Sequence, residues 1–491
     1  MTETSVSLTA SETPREAQSL DARNRLVITL LLISTFVVIL NETIMGVALP
    51  SLMRDLGIPA SSAQWLTAAF MLTMAVVIPI TGFLLQRFNT RPLFITAMSL
   101  FSAGTLIAAA SPGFEVLLLA RIVQATGTAI MFPLLITTVI TLVPPATRGR
   151  MMGNISIVIS VAPAIGPTIS GLILTVLDWR WMFIIVLPIA IASLIVGGTL
   201  MKNVTVPRKT RVDSLSVILS AVGFGGLVYG LSTVSTATSP LQSWLPLGIG
   251  LVSLTVFVLR QLRLQRDDRA LLDLRTFTSS TFTFSIVMFS ISMMALFGTL
   301  ILLPIYMQTV LGIDTLTAGL LLLPGGLIMG LLAPWVGRIY DRIGPTALLV
   351  TGSVIVSAVL WSMTLLGANS SIWMVLAAHV TLSIGLALLF TPLFTASLAA
   401  VRPQLYSHGS AIVGTVQQLA GAAGTALFVS VMSSQAVRRL AEGSTQAQAT
   451  ASGVHTALLY GAAISVFAIP AAFFIRKTAL PEGAEAIPSS H

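Results

Sequence analysis

The stretch Leu40-Asn-Glu-Thr-Ile-Met-Gly-Val-Ala-Leu-Pro50 places Glu42 at the far end of an apolar run that begins near Leu26. A charged side chain near the centre of a bilayer costs roughly 2.5–3.5 kcal/mol on insertion scales, so a carboxylate there implies work such as holding a proton or a cation. Arg121 is the other full charge deep in an apolar run. With a rise of 1.5 Å per residue, Glu42 falls ~7–8 Å beyond the middle of its helix, and Arg121, on a helix running the other way, falls within a few ångströms of the same depth. Burial favours a neutral carboxyl and a nearby guanidinium favours an ionised one, so a group held between the two can switch. A static Glu42–Arg121 pair with no such role is the alternative, because breaking a buried pair destabilises a protein whatever its purpose.

Other polar and aromatic groups could line a cavity beside this pair. Asn41, Gln124, Tyr306 and Gln308 could present hydrogen bonds, and Trp65, Met131 and Phe132 adaptable apolar contacts, although for each aromatic or Met ordinary helix packing or lipid contact is the better account. His379 could relay protons or be a satisfied interior histidine. His408 and His455 fall near helix ends and suggest no role. Pro163, Gly166, Pro167 and Gly171 crowd one run and imply a close, bendable helix seam. The chain has no Cys and four scattered His, which gives neither a thiolate site nor a metal cluster. No Gly-Lys-Ser/Thr phosphate loop and no nucleophile–base constellation is visible, so neither an enzyme nor a bound cofactor is expected.

The elements that must position these groups are membrane helices. Of 491 residues, 55% are hydrophobic and 9% charged, with a mean hydropathy of +0.94, far from the ~25% charged residues of soluble domains. About fourteen apolar runs, from Leu26–Leu49 to Val454–Ile475, are each long enough to cross a ~30 Å core. Basic residues cluster in alternate connections, among them Arg87, Arg91, Arg148, Arg150, Arg338 and Arg342, while the other connections hold only Arg54, Arg180, Arg438 and Arg439. That asymmetry predicts cytoplasmic termini and explains the net charge of +9 without nucleic acid. Residues 1–25 and 477–491 read as cytoplasmic tails, the first disordered.

An internal repeat divides the chain. Pro79-Ile-Thr-Gly82, followed by Gln86-Arg87, matches Pro334-Trp-Val-Gly337, followed by Asp341-Arg342. The reading is two six-helix bundles at 26–200 and 279–476, with a linker at 201–278 that holds two inserted helices and an Arg-rich connector.

Several motifs resemble those of the major facilitator superfamily. Gly82-Phe-Leu-Leu-Gln-Arg87-Phe-Asn-Thr-Arg91 resembles its loop motif, with the echo at Gly337, Asp341 and Arg342. Leu119-Ala-Arg121-Ile-Val-Gln124-Ala-Thr-Gly127 resembles its fourth-helix motif, and Ala162-Pro-Ala-Ile-Gly166-Pro167-Thr-Ile-Ser-Gly171 the fifth-helix motif of antiporters. Leu40–Pro50 is similar to the first-helix motif of the fourteen-helix drug/proton antiporter branch, and the whole pattern to a lincomycin-resistance-like subgroup. The sequence departs at Gln86, where the family carries Asp, at Asn89 and Pro92, and at Asn41, where Asp is usual.

The resemblance implies an all-α polytopic membrane protein with the major facilitator fold and fourteen spans. It implies an exporter of hydrophobic, cationic small molecules by alternating access, coupled to protons through Glu42 and Arg121 and driven by the proton gradient alone. The gating residues would be Gly82, Arg87, Gly166, Pro167, Gly171, Gly337, Asp341 and Arg342, and His379 would lie on a cavity-lining helix. Substrate, protons and membrane lipids are the expected partners of a monomer in a bacterial inner membrane. A dedicated exporter of one metabolite, a proton-coupled importer and a non-transporting receptor are the alternatives on the same scaffold.

Overall fold

The computed structural model describes residues 22–58, 60–201, 203, 213–233, 239–367 and 370–476. Long helices follow one another: α1 (Ala22–Leu56), α2 (Ala60–Arg87), α3 (Thr90–Ala109), α4 (Phe114–Leu142), α5 (Arg148–Val176), α6 (Trp181–Leu200), α7 (Ser214–Thr233) and α8 (Pro240–Leu264). After a connector of short 3-10 turns come α9 (Ser280–Thr309), α10 (Thr315–Ile343), α11 (Pro345–Met363), α12 (Ile372–Ala399), α13 (Tyr406–Ala441), α14 (Gln446–Val466) and a five-residue α15 (Ala468–Ala472). Fourteen of them are long and apolar enough to cross a membrane. In lipid the backbone must satisfy itself, which is why apolar runs of this length form helices throughout.

Some helices outrun their apolar stretches. α1 begins at Ala22, inside the segment expected to be a tail, and α13 continues past the apolar run Ser410–Met432 to Ala441 with Arg438 and Arg439 in its last turn. Hydropathy marks only the part that meets lipid, whereas backbone hydrogen bonding carries a helix on into the polar zone. The tail residues before 22 and after 476 lie outside the described residues.

The two halves have matching internal packing. α3 lies against α4 and α6, and α11 against α12 and α14; α1 lies against α5, and α9 against α13. Between the halves run two principal seams, α2 on α13 and α5 on α10, with α4 touching α13 and α5 touching α12. α7 and α8 pair as a hairpin through Gly223, Gly226, Gly230 and Gly250, and α7 rests on both α2 and α13. Lipid tails give no hydrophobic drive for helices to associate, so small residues that let backbones approach supply the contact.

The seams are tightest at the end that carries the α2–α3 loop and its arginines, called here the basic end. A Cβ on Gly153 of α5 would come 2.5 Å from the Ala333 carbonyl of α10, and one on Gly82 of α2 would come 3.0 Å from the Ala411 side chain of α13. Thr137 of α4 and Ser410 of α13 share a 2.6 Å hydrogen bond, and Thr391 of α12 donates to Ser156 of α5 at 2.9 Å. Phe132 of α4 meets Phe394 of α12 edge-on at 6.2 Å. The basic end is closed.

Candidate functional site

Arg121 sits in the second turn of α4, fully buried, and its guanidinium is shared among three helices. Nη1 donates to Asn41 Oδ1 of α1 at 3.2 Å and to Gln124 Oε1 at 3.0 Å, and Nε donates to the Leu66 carbonyl of α2 at 3.4 Å. The charge lies 4.2 Å from the centroid of the Phe70 ring, a favourable placement over the ring face. Gln124 passes the network on, donating from Nε2 to Thr105 Oγ1 of α3 at 2.8 Å. That reach depends on α3 and α4 nearly touching: a Cβ on Gly104 would lie 2.6 Å from the Gln124 backbone nitrogen.

Three features leave this centre chemically unfinished. Arg121 Nη2 and Asn41 Nδ2 are both buried with no hydrogen-bond partner. Glu42, the next residue after Asn41, is half-buried and feels the Arg121 charge through space, yet among the described residues no ion pair joins the two. Arg121 therefore does not depend on Glu42 for its direct hydrogen bonds, and the carboxylate is not clamped. Two unsatisfied donors beside an unclamped acid can receive a polar or cationic group. An arginine keeps its charge at any relevant pH and can hold several acceptors in a fixed fork.

The other residues singled out from the sequence do not gather here. Trp65 is 38% exposed and stacks on Tyr229 of α7 at 5.5 Å, so its ring secures the inserted hairpin. Tyr306 spends its hydroxyl on the Gly367 carbonyl at 2.6 Å, fastening the loop after α11 to α9, and Gln308 is exposed at the end of α9. Met131 and Phe132 are buried, Phe132 in the closed seam. His379 lies between α12 and α10, its ring bonded to the Leu322 carbonyl. Helix periodicity places such residues on a face but cannot say which neighbouring helix meets that face.

The expected gating residues also divide. Gly166 is tight against Thr43 of α1, whereas a Cβ on Gly171 would meet open space, so the close seam of α5 does not extend that far; the Pro167 side chain lies outside the described residues. Gly82 and Gly337 are both contact points between the halves. Asp341 accepts from the Gly149 and Arg150 backbone N–H groups at 2.8 and 2.9 Å, capping the N-terminus of α5. Arg87 and Arg342 end their helices at the basic face. His408, which the sequence left without a role, faces Gln86 across the α2–α13 seam at 2.7 Å. The departure at Gln86 marked this position as unusual in the sequence, but nothing there pointed to His408 as its partner.

Residues 31–425 match the model of the Major Facilitator Superfamily. The chain is 43% identical over 462 residues to an uncharacterized MFS-type transporter, YcnB, of Bacillus subtilis, covering 93% of this chain and 96% of that protein. It is 39% identical over 452 residues to the lincomycin resistance protein LmrB of Listeria monocytogenes, covering 91% and 95%. Among solved structures it resembles the human organic anion transporter MFSD10, with a TM-score of 0.62 at 14% identity over 91% of this chain and 99% of that one, a likeness of fold alone. The matching halves, the helix pairing and these relatives agree, and none describes an enzyme: the chain is a multi-pass membrane transporter that belongs to the major facilitator superfamily.

Proposed function

We propose that this transporter exports lipophilic, cationic or amphipathic small molecules, drugs among them, in exchange for protons. The observation that carries the reading is the half-buried, unclamped Glu42 beside the fully buried Arg121. A carboxylate in that position can hold either a proton or a cationic substrate, and occupancy by one excludes the other. Antiport needs no more than that exclusion. The relatives named for lincomycin resistance support a drug as cargo.

In this reading the basic end faces the cytoplasm of a bacterial cell, following the Lys/Arg asymmetry. The closed seams at that end then correspond to an outward-facing state, in which Glu42 takes up a proton and releases its cargo. Rocking of the halves opens the basic end, and the proton leaves inward. Arg121 keeps the site polar throughout and favours the ionised acid once the site is rehydrated. One carboxylate implies one proton per cycle, which for a monovalent cation is electroneutral. The working unit is a single chain surrounded by lipid, with no cofactor.

The test is efflux of a fluorescent lipophilic cation from proteoliposomes under an imposed pH gradient, with Glu42→Gln beside the wild type. Gradient-driven efflux that is lost in the variant is the expected result. A folded Glu42→Gln protein that still couples transport to the gradient overturns the reading.

A further inference from the structure

The repeat that relates the halves extends to the buried polar centre. Pro79 and Gly82 are the twentieth and twenty-third residues of α2, and Pro334 and Gly337 hold the same ranks in α10. Arg121 is the eighth residue of α4, and the eighth residue of α12 is His379. Around them Ala120 matches Ala378, Gly127 matches Gly385 and Phe132 matches Phe390. The packing follows the alignment, since Gly127 presses on α3 at Ala97 and Phe101 while Gly385 presses on α11 at Ile355 and Val356.

The hydrogen bonds follow it as well. Arg121 Nε donates to the carbonyl of Leu66, the seventh residue of α2, and His379 Nε2 donates at 3.1 Å to the carbonyl of Leu322, the eighth residue of α10. Each half thus ties its fourth helix to its second by a nitrogen side chain on a main-chain oxygen, at matching height. A carbonyl only accepts, so Nε2 carries the proton in that bond and Nδ1 of the neutral ring is left as a bare acceptor. His379 is 7% exposed, and Nδ1 has no partner. Burying such an atom unsatisfied is costly.

We propose that His379 is the second half's counterpart of Arg121 and that its Nδ1 accepts a hydrogen bond from the transported molecule. The first half offers unpartnered donors, Arg121 Nη2 and Asn41 Nδ2; the second offers an unpartnered acceptor. A cargo that satisfies the second half's acceptor carries an N–H or O–H group, as a hydroxylated amide or amino-sugar does. A bare lipophilic cation carries neither. The inference rests on the drug-export reading and narrows its substrate class.

The experiment measures binding to the purified protein in nanodiscs with two probes: lincomycin, which carries hydroxyl and amide groups, and tetraphenylphosphonium, which has no N–H or O–H. Three proteins are compared: wild type, His379→Phe and His379→Gln. The expected result is a roughly tenfold loss of lincomycin affinity in His379→Phe with tetraphenylphosphonium binding unchanged, and recovery in His379→Gln, whose amide oxygen can accept in place of Nδ1. Unchanged tetraphenylphosphonium affinity certifies the fold. Equal loss of both probes, or lincomycin binding unaffected by either substitution, overturns the assignment of His379. Should His379→Phe fail to fold, His379→Gln against His379→Met reads the same difference. Wild type that binds only tetraphenylphosphonium overturns the substrate class while leaving export of lipophilic cations intact; wild type that binds neither probe removes the drug-export reading itself.

Discussion

Gln86 of α2 and His408 of α13 meet across the seam between the halves, Nε2 to Nε2 at 2.7 Å. An amide nitrogen only donates, so the imidazole accepts. On the opposite seam the residue of equal rank in α10, Asp341, accepts from two backbone N–H groups of α5. The closed basic end is therefore held on the α13 side by neutral hydrogen bonds, Gln86–His408 and Thr137–Ser410, and on the α5–α10 side by charge-assisted bonds. Removing the Gln86–His408 bond with Gln86→Ala is expected to shift the closed-to-open balance by about 1 kcal/mol, roughly fivefold. The chain has no cysteine, so alkylation of a single Ser156→Cys reporter, buried against Thr391 in the seam, measures the opening directly. An unchanged labelling rate would mean that the Gln86–His408 bond does not hold the closed state.

Asp341→Asn is expected to have the larger effect. Its two acceptor bonds to Gly149 and Arg150 lie at the N-terminus of α5, where backbone N–H groups and the helix dipole favour an anion. The neutral amide keeps the shape but loses the charge and one acceptor, for a cost of about 1–2 kcal/mol. Labelling of the same reporter should rise about tenfold, exceeding the rise in Gln86→Ala. The reverse order would place the main latch on the α2–α13 side.

Much of this organisation was legible in the sequence. Apolar runs located the fourteen spans because lipid leaves a buried segment no other conformation, and the paired Pro–Gly motifs of α2 and α10 revealed the repeat. The depth argument placed Glu42 and Arg121 at one level, and the structure puts Asn41, the neighbour of Glu42, in direct contact with Arg121. What stayed illegible was azimuth. The sequence offers Trp65, Tyr306 and Phe132 as cavity contacts without saying where each points, and the structure turns them toward α7, the α11–α12 loop and α12 respectively. Which helix a side chain meets is set by tertiary packing, and in all-apolar helices the periodic signal that would reveal it is weak.

Glu42 and Arg121 are expected to be coupled through space alone, with no shared hydrogen bond. Arg121 carries three hydrogen bonds to Leu66, Asn41 and Gln124, none of them to Glu42. Arg121→Gln should cost about 2–4 kcal/mol, because it strands Asn41 and Gln124 in the interior. Glu42→Gln should cost under about 1 kcal/mol. A double-mutant cycle on thermal unfolding in detergent should return a coupling below about 1 kcal/mol, as expected for groups without direct contact. A coupling of several kcal/mol would show a buried ion pair and would favour a static structural role for the acid.

The α7–α8 hairpin offers a pH test away from the transport path. Arg260 of α8 grips Asp213, just ahead of α7, through Nε at 2.6 Å and Nη2 at 2.8 Å, and Ser216 adds a further bond. The Arg260 hydrogen bonds, and then those from Ser216, hold the Asp213 carboxyl far below the usual carboxylate range against the opposing effect of burial. A carboxylate whose folded pKa is depressed contributes stability that is complete above its unfolded value, about 3.9, and that is lost as pH falls through the folded value. Protection of the α7 amides against hydrogen exchange should therefore stay level from about pH 8 to pH 5 and decline only in stronger acid. With the Arg260 side chain 35% exposed, solvent screening holds the contribution to about 1 kcal/mol. Asp213→Asn should lose that protection at every pH above about 4 and leave transport unchanged, since the hairpin only rests on α2 and α13. A transport defect in Asp213→Asn would mean instead that the hairpin moves with the halves as they rock.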